Sequence, residues 1–207
     1  MSVKDKYTTF AELAQREREG QDYERYIQAR ATDIVIAAPH GGGIERGTSE
    51  IAKALAEDVF SIYCFEGIKR TGNKSLHITS TRFDDPMCLE LLETAATVLA
   101  IHGCAVEEQA VYVGGLNAGL QQRFIRLLRE GGFEAFEGDG DHAGVHPRNI
   151  CNLRGGGGVQ LEITRGLRQR MFKGLSRAGR RVTTPVFDVF VGVLREGIDL
   201  REGIEGI

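Results

Sequence analysis

"DIVIAAPHGGGIERGTSEIAKALAEDVF", residues 33–60, decides the fold class. Its opening run, "DIVIAAP" (33–39), is nearly all apolar and β-rich, as expected of a central strand covered on both faces. Its second half carries Ile51, Leu55 and Val59 at a spacing of four, which predicts a helix over 48–58. Thr48 is the expected N-cap, and Glu50 sits near the positive end of the helix dipole. Strand, loop and helix in that order are the unit of an α/β protein.

The same alternation continues outward. Further strands are expected at 60–67, 76–83, 98–104, 110–115, 133–138 and 159–164. Helices are expected between them. "DDPMCLELLETAA" offers an aspartate cap followed by Pro86 at the first helical position. "LNAGLQQRFIRLLREGG" places Leu120, Phe124 and Leu127 on one stripe and ends in glycine. "TTPVFDVFVGVLREG" reads as a final helix. These elements predict one α/β domain over residues 1–207, an open, largely parallel sheet with helices on both faces. The echo "REGIDL/REGIEGI" reads as a tail of about ten residues rather than a repeat.

Composition excludes several classes. The net charge is −3, which argues against a general nucleic-acid binder. No apolar run approaches the roughly 20 residues needed to cross a bilayer. The opening segment is charged and lacks the apolar region of a signal peptide, so synthesis in the cytosol, with release by lysis, is the expectation. Cys64, Cys88, Cys104 and Cys151 form no C-x-x-C pair and read as reduced, buried thiols.

In an open parallel sheet, ligands bind beyond the carboxyl ends of the strands. "DIVIAAP" runs into His40, "VLAI" into His102 and "LHITSTR" into Arg82, while "VQLEIT" holds Glu162. His40, Glu45 and His102 make a two-histidine, one-carboxylate set of the kind that holds catalytic zinc with a position left for water. Glu162 could then be the general base for that water. The glycine triplet lets the loop double back, so that His40 and Glu45 can reach one ion, and leaves space for substrate. Each residue also has a plainer reading. A histidine ending a strand can be a hydrogen-bonded structural residue, and Glu162 can face solvent beside Gln160. A serine hydrolase is disfavoured, because "GLSRAG" (174–179) has the wrong spacing for a nucleophile elbow. A non-catalytic anion-binding module stays open, although neither "HGGGIERG" nor "LRGGGGVQ" matches a phosphate-loop pattern.

Taken together, "APHGGGIERGTSEIA", "LHITSTRFDDP", "IHGC", "HPRNICN" and "GVQLEITRGLR" resemble the poly-γ-glutamate hydrolase family. That group contains a bacteriophage enzyme that degrades poly-γ-glutamate capsules. The resemblance implies a mixed α/β sheet of the zinc carboxypeptidase kind, one zinc ion on His40, Glu45 and His102, and Glu162 as catalytic base. The loop between His40 and Glu45 is longer than in zinc carboxypeptidases. A zinc amidase or peptidase acting on another acidic or cell-wall peptide is the alternative.

A poly-γ-glutamate substrate is a polyanion, and arginine can grip its carboxylates through bidentate contacts. Arg82, Arg148 and Arg165 are the expected contacts, with Asn149 either orienting substrate or capping a turn. Residues 163–187 hold seven Lys/Arg and no acid, which reads as a steering patch or as a solvated helix face. No aromatic platform accompanies the patch, so nucleic acid is not the expected partner. His142 and His146 read either as contacts from a covering loop or as surface residues, and His77 as a structural residue away from the ligand edge.

Overall fold

The computed structural model describes residues 5–154 and 156–198. The expected tail falls on residues 199–207, outside the described residues. One seven-stranded mixed sheet runs through the molecule in the order β1-β3-β2-β4-β7-β5-β6. Its strands are β1 (Tyr23–Gln28), β2 (Ile34–Gly42), β3 (Ser61–Gly67), β4 (Thr97–Gly103), β5 (Ala110–Gly115), β6 (Glu134–Glu137) and β7 (Val159–Ile163). The central pairs β3/β2, β2/β4 and β4/β7 are parallel. β1 joins β3 antiparallel, β5 joins β7 antiparallel, and β6 joins β5 in parallel.

Alternation along the strands sends side chains to two cores. Ile34 and Ile36 of β2, Leu99 and Ile101 of β4, and Leu161 and Ile163 of β7 face one side. There they meet α2 (Thr48–Ala56), α4 (Ala118–Glu130), α5 (Arg165–Met171) and α6 (Pro185–Ile198). Val35, Ala37, Val98 and Ala100 face the other side, against α1 (Phe10–Ala14) and α3 (Pro86–Leu92). Helices therefore cover both faces, as expected. None of the described helices is long and apolar enough to cross a membrane.

Local chemistry sets most helix ends where the sequence places them. Asp85 accepts from Met87 N at 3.0 Å, with Pro86 first in α3. Asn117 accepts from Leu120 N at 3.0 Å, and Gly131 closes α4. The start of α2 is a correction. Gly47 is the cap residue, in the left-handed region at φ 103°, and Thr48 is the first helical residue. The Thr48 hydroxyl donates to Glu45 O at 2.9 Å, so it ties the helix back to the preceding loop. Val59 lies beyond the helix and is exposed, so the apolar stripe ends at Leu55.

Residues 76–83 are also a correction: they form no strand. A 3-10 turn spans Asn73–Leu76, and irregular extended chain follows. Its polar backbone groups are satisfied outside any ladder. Thr79 N donates to Asp5 Oδ2 at 2.8 Å, Ile78 O accepts from His40 Nε2 at 2.8 Å, and Ser80 O accepts from Ile150 N at 3.3 Å. β1, α1 and α5 have no counterpart in the expected elements.

Candidate active site

A bulge in β2 brings the first histidine to the site. Ala38 pairs with Cys64 and Gly41 with Glu66, so β2 spends one residue more than β3 over that interval. Such a bulge reverses the alternation and re-aims a side chain. His40 would otherwise share the face of Ile36 and Ala38. Instead its ring lies against Phe83, His77 and His102 on the opposite face. The glycine triplet makes the turn possible. Gly42 takes φ 64°, and a Cβ there would come within 2.6 Å of Gly67 O. The chain then doubles back, with Glu45 N donating to His40 O at 2.8 Å. These glycines do not themselves make the open space beside the cluster, however. Ser49 and Asn73 fill the places where side chains at positions 41 and 43 would lie.

Three imidazoles and one carboxylate converge beside this turn. His40 Nδ1 is 3.2 Å from His102 Nδ1 and 3.3 Å from Glu45 Oε1, and His102 Nδ1 is 3.7 Å from Glu45 Oε2. Ligands bound about 2.0–2.2 Å from a tetrahedral ion lie roughly 3.3–3.6 Å apart, so this spacing suits one small cation. The outer contacts agree. A carbonyl only accepts, so His40 donates Nε2–H to Ile78 O and keeps its Nδ1 lone pair for the cluster. Ser80 Oγ lies 3.3 Å from His102 Nε2 and can accept from it. In that tautomer two ring lone pairs and a carboxylate face one point, an arrangement that a cation satisfies. Burial works to raise the Glu45 carboxyl, but the His40 and His102 imidazoles beside it hold it well below the usual range. Gly103 N also donates to Glu45 Oε2, at 2.9 Å.

His77 belongs to this cluster, which corrects its placement away from the ligand edge. Its ring stacks on His40 with centroids 4.0 Å apart, and its Nε2 is 3.8 Å from Glu45 Oε1. Nδ1 donates to Asp5 Oδ1 at 2.6 Å. His40, Glu45 and His77 each offer a ligand atom within 4.8 Å of the others. The neighbouring His40 imidazole and then burial lower the pKa of His77, which favours the neutral, ligand-competent ring. Asp5 reaches the site across 72 positions of sequence, so no local pattern announces the pair.

Glu162 stands beside His102, its register partner across β4 and β7. Burial and then the Glu45 charge push its carboxyl well above the ordinary range, with Arg168 opposing. Such a carboxyl is suited to taking up a proton. Arg168 is itself buried. It donates to Ile163 O at 3.0 Å, Arg46 O at 2.6 Å and Cys104 O at 2.7 Å. One guanidinium thus pins the ends of β4 and β7 to the glycine-rich loop.

Two cavities meet at the cluster, sharing Glu45, His77, Gly103 and Cys104. The smaller, about 430 Å³, is walled by His40, His102, Glu162 and the 140–146 loop. His142 stacks on Tyr112 at 5.0 Å there, and His146 also lines it. The larger, about 720 Å³, lies on the side of Arg46, Lys74 and Arg165.

The family described as poly-gamma-glutamate hydrolase matches residues 7–193. The chain belongs to the poly-γ-glutamate hydrolase family. It is 39% identical over 184 residues to the UPF0714 protein YndL of Bacillus subtilis (strain 168), covering 87% of this chain and 72% of that protein. The solved structure of a bacteriophage poly-gamma-glutamate hydrolase superposes with a TM-score of 0.93 at 31% identity, covering 98% of this chain and all of that one (100%). YndL in its zinc-free apo form gives 0.91 at 36% identity, covering 96% and 99%.

The remaining expected residues of this family member are scattered. Arg165 lines the larger cavity while pairing with Glu107 at 2.5 Å. Asn149 lines the smaller one, but its amide donates to Gln160 at 2.7 Å and accepts from Cys151 N at 3.2 Å, so it caps a turn. Arg82 lines neither cavity and donates to Asp5 Oδ2 at 2.9 Å. Arg148 is exposed and also lines neither. The basic stretch is not one surface patch: Arg168 is buried, and Arg180 is buried against Glu50 at 2.6 Å. The four cysteines are free. Cys64, Cys88 and Cys151 are buried, and Cys104 is partly exposed.

Proposed function

We propose that this chain hydrolyses the γ-glutamyl amide bonds of poly-γ-glutamate with one zinc ion held by His40, Glu45 and His102. The observation that carries the reading is the 3.2–3.7 Å spacing of the three ligand groups beside Glu162, in a chain of this family. Zinc, when bound, would polarise the scissile carbonyl and acidify a water.

The chain's own residues supply the rest. Glu162 takes the proton from the attacking water and later delivers it to the leaving amine. Its place opposite His102 in the β4/β7 ladder puts it next to the cluster. Ile78 O and Ser80 Oγ fix the rings of His40 and His102. Gly103 N holds Glu45 in place. His77 is the competing third ligand, because its Nε2 also faces Glu45.

Glu162→Gln tests the base. The variant should retain zinc and fold while turnover falls by roughly two to four orders of magnitude. Loss of zinc instead would make Glu162 a ligand. Substrate identity is tested by offering poly-γ-glutamate, α-linked polyglutamate and a neutral peptide, then counting new amino termini. Equal rates on all three would leave only a general peptidase.

A further inference from the structure

The two cavities that meet at the cluster differ in charge. Among the described residues no lysine or arginine lines the smaller one, whose charged groups are Glu45, Glu162, Asp141 and imidazoles. The larger one is lined by Arg46, Lys74, Arg165 and the edge of Arg168. Its acids among the described residues are Asp5 and Glu45. Asp5 is already engaged by His77, Thr79 and Arg82, and Glu45 by the imidazoles and Gly103 N. Arg165 has Glu107, but Arg46 and Lys74 have no carboxylate within 4.0 Å among the described residues.

Both free cations stand on fixed backbone next to the cluster. Arg46 follows Glu45 directly, and its carbonyl accepts from buried Arg168 at 2.6 Å. Lys74 lies in the 3-10 turn before His77, and its carbonyl accepts from His77 N at 3.2 Å. Two cations without a carboxylate partner thus stand on anchored chain in a cavity that opens onto the cluster, where they can attract anionic groups.

We propose that the larger cavity is a carboxylate subsite, in which Arg46 and Lys74 hold free carboxylates of the substrate chain on one side of the scissile bond. This rests on the hydrolase reading above and deepens it. The charge difference makes substrate handling one-sided: the basic cavity grips, while the smaller cavity accepts the segment on the other side without a cation. Arg46 and Lys74 therefore take the part that the sequence suggested for Arg82 and Arg148.

The experiment measures calorimetric binding of a short γ-linked glutamate oligomer to zinc-loaded Glu162→Gln protein, with and without Arg46→Gln and Lys74→Gln together. The pair should weaken binding by about 10- to 100-fold and flatten its salt dependence. An oligomer whose free carboxylates are replaced by carboxamides should bind both proteins equally weakly. Both side chains are exposed, so the fold should be retained, and Lys74→Gln alone, expected to weaken binding at least several-fold, serves as a second variant. Equal affinity for the acidic oligomer with and without the pair would overturn the proposal, as would equal binding of its carboxamide form by the parent. Cleavage by the otherwise native protein is followed separately through new amino termini. Charge-dependent binding without cleavage would sink the hydrolase reading and leave the subsite standing. Cleavage with a KM untouched by the pair would do the reverse.

Discussion

Two kinds of backbone hold the candidate site. His40, His102 and Glu162 stand on β2, β4 and β7, three neighbours in the sheet. His77 stands on irregular chain whose backbone and ring are held by Asp5, from the far side of the sequence. The strand-held half is fixed by ladders that exist for the fold's sake. The loop-held half is fixed by one buried carboxylate and its hydrogen bonds. Mutations should therefore act sharply on the first half and by degrees on the second.

The largest effects belong to the strands. His40→Ala and His102→Ala should each lose stoichiometric zinc and at least about three orders of magnitude of activity, because two remaining protein ligands hold the ion poorly. His77→Ala should keep stoichiometric zinc. Metal analysis of the three purified variants checks the comparison, and zinc retained in His102→Ala but lost in His77→Ala would exchange their roles.

Arg168 joins the two halves, and its effect should rank next. Arg168→Met leaves the carbonyls of Arg46, Cys104 and Ile163 without their donor, at about 1–3 kcal/mol for each group that finds no other partner. Relaxation and water will recover part of that, so a total loss of about 2–4 kcal/mol in denaturant unfolding is expected. Arg168→Lys keeps the charge but cannot span three segments with a planar fork, and should recover less than half of the loss. Full recovery by lysine would reduce Arg168 to a buried charge.

The same contrast explains what the sequence could show. Apolar runs ending in a histidine are visible signals, and they pointed to His40 and His102 at one edge of the sheet. The bulge that turns His40 to the face of His102 is a register event between β2 and β3, and registers are not written in either strand alone. "LHITSTRF" has the composition of a strand, but Asp5, His40 and Ile150 claim its backbone groups, so tertiary contacts override propensity. Charged, half-exposed β1 lacked the apolar signal of the inner strands. That Arg46 lines the larger cavity follows from the turn after His40, which its place beside Glu45 in the sequence does not show.

Asp5→Ala tests the loop-held half alone. Without its acceptor, the His77 ring loses the contact that sets its tautomer, and Thr79 N loses its partner. Because Asp5 reaches the cluster only through His77 and Thr79, an effect of several-fold is expected, below the roughly 10- to 100-fold typical of a partner that holds a metal ligand. Zinc competition with a chelator and steady-state kinetics both read it. An effect as large as that of His40→Ala would show that the loop-held half is as decisive as the strands.

Arg82→Ala should be the smallest change. The sequence offered Arg82 as a substrate contact, and a charge-assisted bidentate contact would be worth roughly 10- to 150-fold in kcat/KM. The structure instead turns its half-exposed guanidinium to Asp5 at 2.9 Å. Asp5 already accepts from His77 and twice from Thr79, so losing the arginine leaves it well held. An ion pair whose cation stands half in solvent contributes about 0–1 kcal/mol, which caps the loss in kcat/KM near fivefold. High salt should shrink it further, since the guanidinium is open to solvent. A loss above about tenfold with zinc content unchanged would mean that Arg82 leaves Asp5 to meet the substrate, and the loop-held half would then be a binding surface as well as a support for His77.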